Sequence, residues 1–186
     1  MTDVFAYLSV LLSIVLGLAI AEILQGYGRL LVSRAKVTLY APPLIWSVLM
    51  LLMATQFWWV SFGLGKREHW NFAAFCAVLL QTVMMYMGSA LVLPKVREDQ
   101  DIDLRAHYYR EARPFFAFGL MFLIIGFVRD GLLDRTMERS AIIFMVFFTA
   151  VTVSALVVRK PRVHEVIAPV MAVGIVLFFA TLFSRI

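Results

Sequence analysis

Apolar positions along this chain gather into six blocks, and the short stretches between them hold most of the charge. The blocks fall at about 4–27, 43–64, 72–93, 114–133, 140–158 and 166–184. Each is close to the ~20 residues a helix needs to cross ~30 Å of hydrocarbon. None alternates polar and apolar positions as the strands of a membrane barrel do, so helices are expected throughout. Pro42, Pro43, Pro94, Pro114 and Pro161 stand at or beside block ends, where proline is tolerated. Pro169 lies inside the sixth block and predicts a kink near its start.

The pattern predicts an all-α polytopic transmembrane bundle of six helices forming a single domain over residues 1–186. The longest connection, "PKVREDQDIDLRAHYYREAR" (94–113), carries sparse apolar residues and reads as a short amphipathic helix on the inner membrane surface. Composition supports lipid as the solvent. The 186 residues are 62% hydrophobic and only 16% charged, and mean hydropathy is +0.89. A water-soluble body of this size has too much surface to hide such an excess. The net charge of +5 falls between the blocks, which points to topology and anionic headgroups and away from nucleic acid.

Ala19-Ile20-Ala21 after an apolar run looks like a signal-peptidase site. The leading Met-Thr-Asp has no Lys or Arg, so the first block is expected to stay as a span. With the N-terminus outside, the inner connections would hold Arg29, Arg34, Lys36, Lys95, Arg97, Arg105, Arg110, Arg113, Arg159, Lys160 and Arg162. The outer side would hold only Lys66, Arg67, Arg129, Arg135, Arg139 and Arg185. This asymmetry predicts both termini outside. Trp58, Trp59 and Trp70 would mark one interface, and Tyr27, Tyr40, Trp46, Tyr108 and Tyr109 the other. A shared glycine frame around Gly17 and Gly126 raises a three-plus-three inverted repeat.

Ser9, Ser13, Gly17 and Ala21 recur every fourth residue of the first span. Between helices in lipid, close backbone approach replaces the hydrophobic drive, so this stripe is a packing face for a helix of the same chain or of another subunit. Glu22, Gln25 and Arg29 share a face near the inner end of that span. Glu22 would be an inner anchor paired with Arg29, Arg34 or a basic residue of another inner loop, or else an ion- or proton-binding carboxylate.

Gln56 and Gln81 each lie 13 residues from a proline at the inner boundary, roughly 20 Å deep, with Ser13 near the same level. They would bond to each other across helices or line a polar path. Arg129 and the adjacent Asp130 read as an outer anchor. Neighbours on a helix point ~100° apart and do not simply neutralise each other, so Asp3, Glu68 and Asp134 are candidate partners for Arg129. Asp101, Asp103 and His107 offer a weak divalent-metal pattern.

Catalytic patterns are missing. His69, His107 and His164 all fall in connections, so paired axial ligands for a membrane haem are not found, and no mid-span lysine could carry retinal. Phosphate-loop, G-x-S-x-G and HExxH motifs are absent, and the lone Cys76 makes no disulfide or cysteine metal cluster. No enzyme, cofactor or metal is expected.

"DLRAHYYREARPFF" (103–116), together with "YLSVLLSIVLGLAIAEIL", resembles a family of small bacterial multi-span inner-membrane proteins with no assigned activity. The resemblance implies a bacterial cytoplasmic membrane and transfers no functional residue. The expected role is a non-catalytic helix-bundle component that contacts lipids and associates with itself or another membrane protein. The alternative is a small oligomeric conduit for an ion or polar solute, lined by Ser13, Gln56 and Gln81 and guarded by Glu22.

Overall fold

The computed structural model describes residues 4–32, 37–66, 71–95, 101–133 and 139–183. It contains six long helices: α1 (Val4–Val32), α2 (Ala41–Ser61), α3 (Phe72–Val92), α4 (Leu104–Leu132), α5 (Arg139–Val157) and α6 (Pro161–Phe183). All six are long and apolar enough to cross a membrane, and the protein is a multi-pass membrane protein. A 3-10 turn, Phe62–Lys66, extends α2. Two two-residue strands, β1 (Val37–Thr38) and β2 (Ile102–Asp103), pair in parallel.

Local chemistry sets the helix starts. Pro42 and Pro43 occupy the opening positions of α2, where no backbone N–H is needed. The Asn71 side chain caps α3 by accepting from the Ala74 N–H at 2.7 Å. Asp103 caps α4, accepting from the Arg105 and Ala106 N–H groups at 2.9 and 3.0 Å.

That cap corrects one expectation. The polar stretch before Pro114 is no separate surface helix over 94–113; from Leu104 it forms the first turns of α4, which continues through the proline. Once Asp103 satisfies the first free N–H groups, nothing interrupts the helix until Pro114, whose lost hydrogen bond neighbouring packing tolerates. Similarly, α6 begins at Pro161 and runs on through Pro169.

Helices α2, α3, α4, α5 and α6 form a closed ring in which each touches the next, while α1 lies outside it against α2 and α3. The connections after α1, α3 and α5 meet at one end, called the basic face below. There β1 pairs with β2, and Tyr40 reaches Glu165. The main core lies toward this end, around Trp46, Tyr108, Phe115 and Phe116.

α1 turns one line of its apolar residues inward. Leu8, Leu12, Leu16, Ala19 and Ile23 are fully buried or nearly so, packed near Ala54, Ala74 and Val78. Ala54 of α2 and Ala74 of α3 give this face room, as do Ala19 and Gly26 of α1 itself. The Ser9-Ser13-Gly17-Ala21 stripe sits one residue on, rotated by ~100°, at the edge of the contact. Ser13 and Gly17 are exposed, Ser9 and Ala21 half-buried, and no atom lies within 4 Å of a Cβ built on Gly17. Within the chain the stripe is thus covered only in part: Ser13 meets Trp58 of α2, and Gly17 faces open space.

Candidate functional site

Three polar groups and two spaces in the bundle are the candidates among the described residues. The first group is centred on α3 and α4. Gln81 is 4% exposed and bridges the helices: its Nε2 donates to the Phe122 carbonyl at 3.2 Å, and its Oε1 accepts from Arg129 Nη1 at 2.8 Å. Gly126 makes room, since a Cβ there would come within 2.7 Å of the Gln81 amide nitrogen.

Arg129 also curls back onto Asp130, with Nη2 and Nε at 2.8 and 3.0 Å from Oδ1. The expectation that these neighbours would not neutralise each other is overturned. The arginine side chain is long enough to cancel the angular offset, and both side chains are mostly buried (13% and 15% exposed), which raises the value of pairing. Asp3, Glu68 and Asp134, the partners favoured on sequence grounds, lie outside the described residues.

Gln56 does not join this group. Its amide nitrogen is buried with no hydrogen-bond partner, and Gln81 is committed to α4. Ser13 is elsewhere again: its hydroxyl donates to the Ser9 carbonyl at 2.8 Å and accepts from the Trp58 indole N–H at 3.2 Å on the lipid-facing side. Counting residues set the three at one expected level, but they do not surround one axis, so no single chain assembles the expected polar path from them.

Gln81→Leu is expected to lower stability by about 1–2 kcal/mol, because Arg129 and the Phe122 carbonyl each lose a partner in a low-dielectric site. Denaturant titration in mixed micelles reads this directly, with the lipid-facing Met87→Leu as the control. A midpoint shift no larger than the control's would remove the structural weight placed on the bridge.

At the basic face, Glu22 Oε1 lies 3.8 Å from Lys95 Nζ, with side chains 22% and 64% exposed. This is a loose ion pair of small value. Its geometry follows from Gly26, one turn further along α1. Gly26 is buried against Leu93, and Lys95 follows two residues later. Gln25 points outward, and Arg29 is half-buried with an unpartnered Nε, so Glu22, Gln25 and Arg29 do not form one cluster. Arg34 lies outside the described residues.

The third group is one the sequence reading missed. Tyr108 and His164 meet at 3.0 Å between the hydroxyl and Nδ1. His164 Nε2 faces the Val158 carbonyl at 2.8 Å, so Nε2 carries the proton and the Tyr108 hydroxyl donates to Nδ1. Tyr40 reaches the Tyr109 hydroxyl at 2.8 Å and donates to Glu165 at 3.3 Å, with the Arg105 guanidinium over its ring. Burial first, then the Tyr109 hydroxyl, pushes the Tyr40 phenol well above its usual range.

His107 and His164, assigned to connections from the sequence, are in fact helical and buried. Both helices begin before their apolar runs do. His107 donates to the Leu91 carbonyl at 2.9 Å and lies 3.3 Å from Arg110, while Asp103 is used as a cap. Two of the three residues of the weak metal pattern, Asp103 and His107, are thus engaged elsewhere. A tyrosine pair followed 56 residues on by a histidine was the available signal, but nothing local in the sequence ties it together.

Both spaces are apolar. A half-enclosed cavity of about 100 Å³ lies inside the five-helix ring, and Thr152 is the one hydroxyl-bearing side chain on its wall. A groove of about 190 Å³ runs between α1 and α2 on the outside, lined by Ser13, Leu16, Gly17, Ile20, Thr55 and Trp58. Among the described residues, no three His, Cys, Asp or Glu side chains converge as a metal site would require. No family model, curated protein or solved structure matches this chain. The fold and its sites define a six-helix membrane protein whose polar groups bind helices to each other.

Proposed function

We propose that the protein is a non-catalytic component of a bacterial cytoplasmic membrane, with both termini outside, acting by association with a second copy of itself through α1. The observation that carries this reading is the exposed Ser13–Gly17 face and its open groove. In lipid an outward helix face gains nothing from being small unless another backbone approaches it. Leucines fill the inward face of the same helix, so the small residues are not demanded by the bundle. Trp58 holds Ser13 in place, and Gly17 leaves space for a partner helix at the groove floor.

Gly17→Leu tests the reading without disturbing the fold, because open space surrounds that position. In mild detergent the native chain should form an oligomer by analytical ultracentrifugation. The variant should be at least about ten-fold weaker in association, equivalent to ~1.4 kcal/mol, with its unfolding midpoint unchanged. A native chain that stays monomeric, or a variant that associates equally well, would sink the proposal. In a Cys76→Ser background, Gly17→Cys should form an intersubunit disulfide in native membranes.

A further inference from the structure

We infer that the cavity inside the five-helix ring is a binding site for one acyl chain of an anionic phospholipid. Its walls are hydrocarbon, thioether and aromatic ring, apart from the Thr152 side chain and the indole N–H of Trp46, which is buried without a hydrogen-bond partner. Water entering such a space would find almost no partners, so a polar occupant is disfavoured. A packed interior does not normally leave this volume empty, and an emptied space of similar size lined by apolar side chains takes up apolar ligands.

The wall chemistry suits a flexible chain. Met50, Met53, Met84, Met85 and Met171 contribute to it, and methionine adapts its unbranched side chain to the shape of an occupant. The cavity extends from Trp46 to Met53 along α2, seven residues or roughly 10 Å at 1.5 Å per residue. It therefore occupies the half of the membrane nearer the basic face.

Charge selects the headgroup. Arg113 and Arg162 are exposed at that face, on α4 and α6, which also wall the cavity. Arg113 precedes the wall residue Phe115 by two positions. A lipid whose tail lies in the ring carries its phosphate toward these guanidiniums, and each basic residue near the surface favours an anionic headgroup. This inference is independent of association through α1, because α1 contributes nothing to the cavity wall.

Trp46 makes the cavity observable, since it lines the wall and is only 7% exposed. The probe is the chain with Trp58→Phe, Trp59→Phe and Trp70→Phe, reconstituted in vesicles containing phosphatidylglycerol or phosphatidylcholine with brominated acyl chains. Brominated phosphatidylglycerol should quench Trp46 at about a ten-fold lower mole fraction than brominated phosphatidylcholine. Gly119→Leu should abolish this, because a Cβ at Gly119 meets only the Thr152 methyl, at 3.7 Å, so the larger side chain grows into the cavity.

Equal quenching by the two lipids, or quenching that survives Gly119→Leu, would overturn the assignment. Native mass spectrometry of the unaltered chain provides a measurement free of folding effects. One retained phosphatidylglycerol supports the site, and a bare chain refutes it.

Discussion

Phe116→Ala should destabilise the protein by about 3–5 kcal/mol, the range for removing a buried aromatic ring from a packed core. Phe116 is 2% exposed. Its ring meets Trp46 edge-on at 5.2 Å between centroids and Phe115 at 5.1 Å, and lies 5.8 Å from His164. It also walls the central cavity, so the space it vacates merges with a void already present and collapse cannot recover the lost contacts.

In lipid the loss is mainly one of dispersion and edge-to-face contact, because the unfolded helix is solvated by hydrocarbon. Phe127→Ala, at a lipid-facing ring 58% exposed, should change stability by less than ~0.5 kcal/mol. Unfolding of both variants in the same mixed micelles tests the difference. Equal effects would mean that the basic-face core is no better packed than the lipid boundary.

Gly26→Leu should be the second strong perturbation and should contrast with Gly17→Leu nine residues earlier on the same helix. A Cβ on Gly26 would lie 2.7 Å from Leu93 Cδ1 and 2.8 Å from Leu93 Cβ. The second atom is fixed to the backbone just before Pro94, so a rotamer change cannot clear it. Overpacking of this kind costs about 1–3 kcal/mol, and it should push the end of α3 from α1 and separate Lys95 from Glu22.

The expected result is a double dissociation. Gly26→Leu lowers the unfolding midpoint and leaves the α1 groove intact in whatever folds. Gly17→Leu leaves the midpoint and weakens association. A Gly26 variant as stable as the native chain would show that the α1–α3 approach is not held where it is described.

Much of the architecture was legible because lipid imposes one rule on the backbone. With no water to bond peptide groups, each apolar block had to close its own hydrogen bonds, and six blocks of spanning length meant six helices. Helix starts were harder to read. The cap at Asp103 was present in the sequence, yet the polar residues after it looked like a surface segment, because periodicity weighs side-chain polarity and not the satisfaction of the first N–H groups.

The site residues divide in the same way. Glu22 could be placed near a basic loop, and its ion pair is with Lys95 of the α3–α4 connection. Gln56 and Gln81 could be placed in depth by counting, but not in azimuth, and they went to different fates.

The sequence alone determined how many rods there are and that each is long enough to span, since rise per residue and backbone desolvation depend on the chain itself. Only the tertiary structure decided which way each rod is turned. A helix apolar on every side shows no water-facing and core-facing halves, so the choice between the Leu8-Leu12-Leu16 face and the Ser9-Ser13-Gly17 face was made by fit against Ala54 and Ala74. The same rotational freedom explains why Gly26, Arg129 with Asp130, and the Tyr108–His164 pair became meaningful only once neighbouring helices were in place.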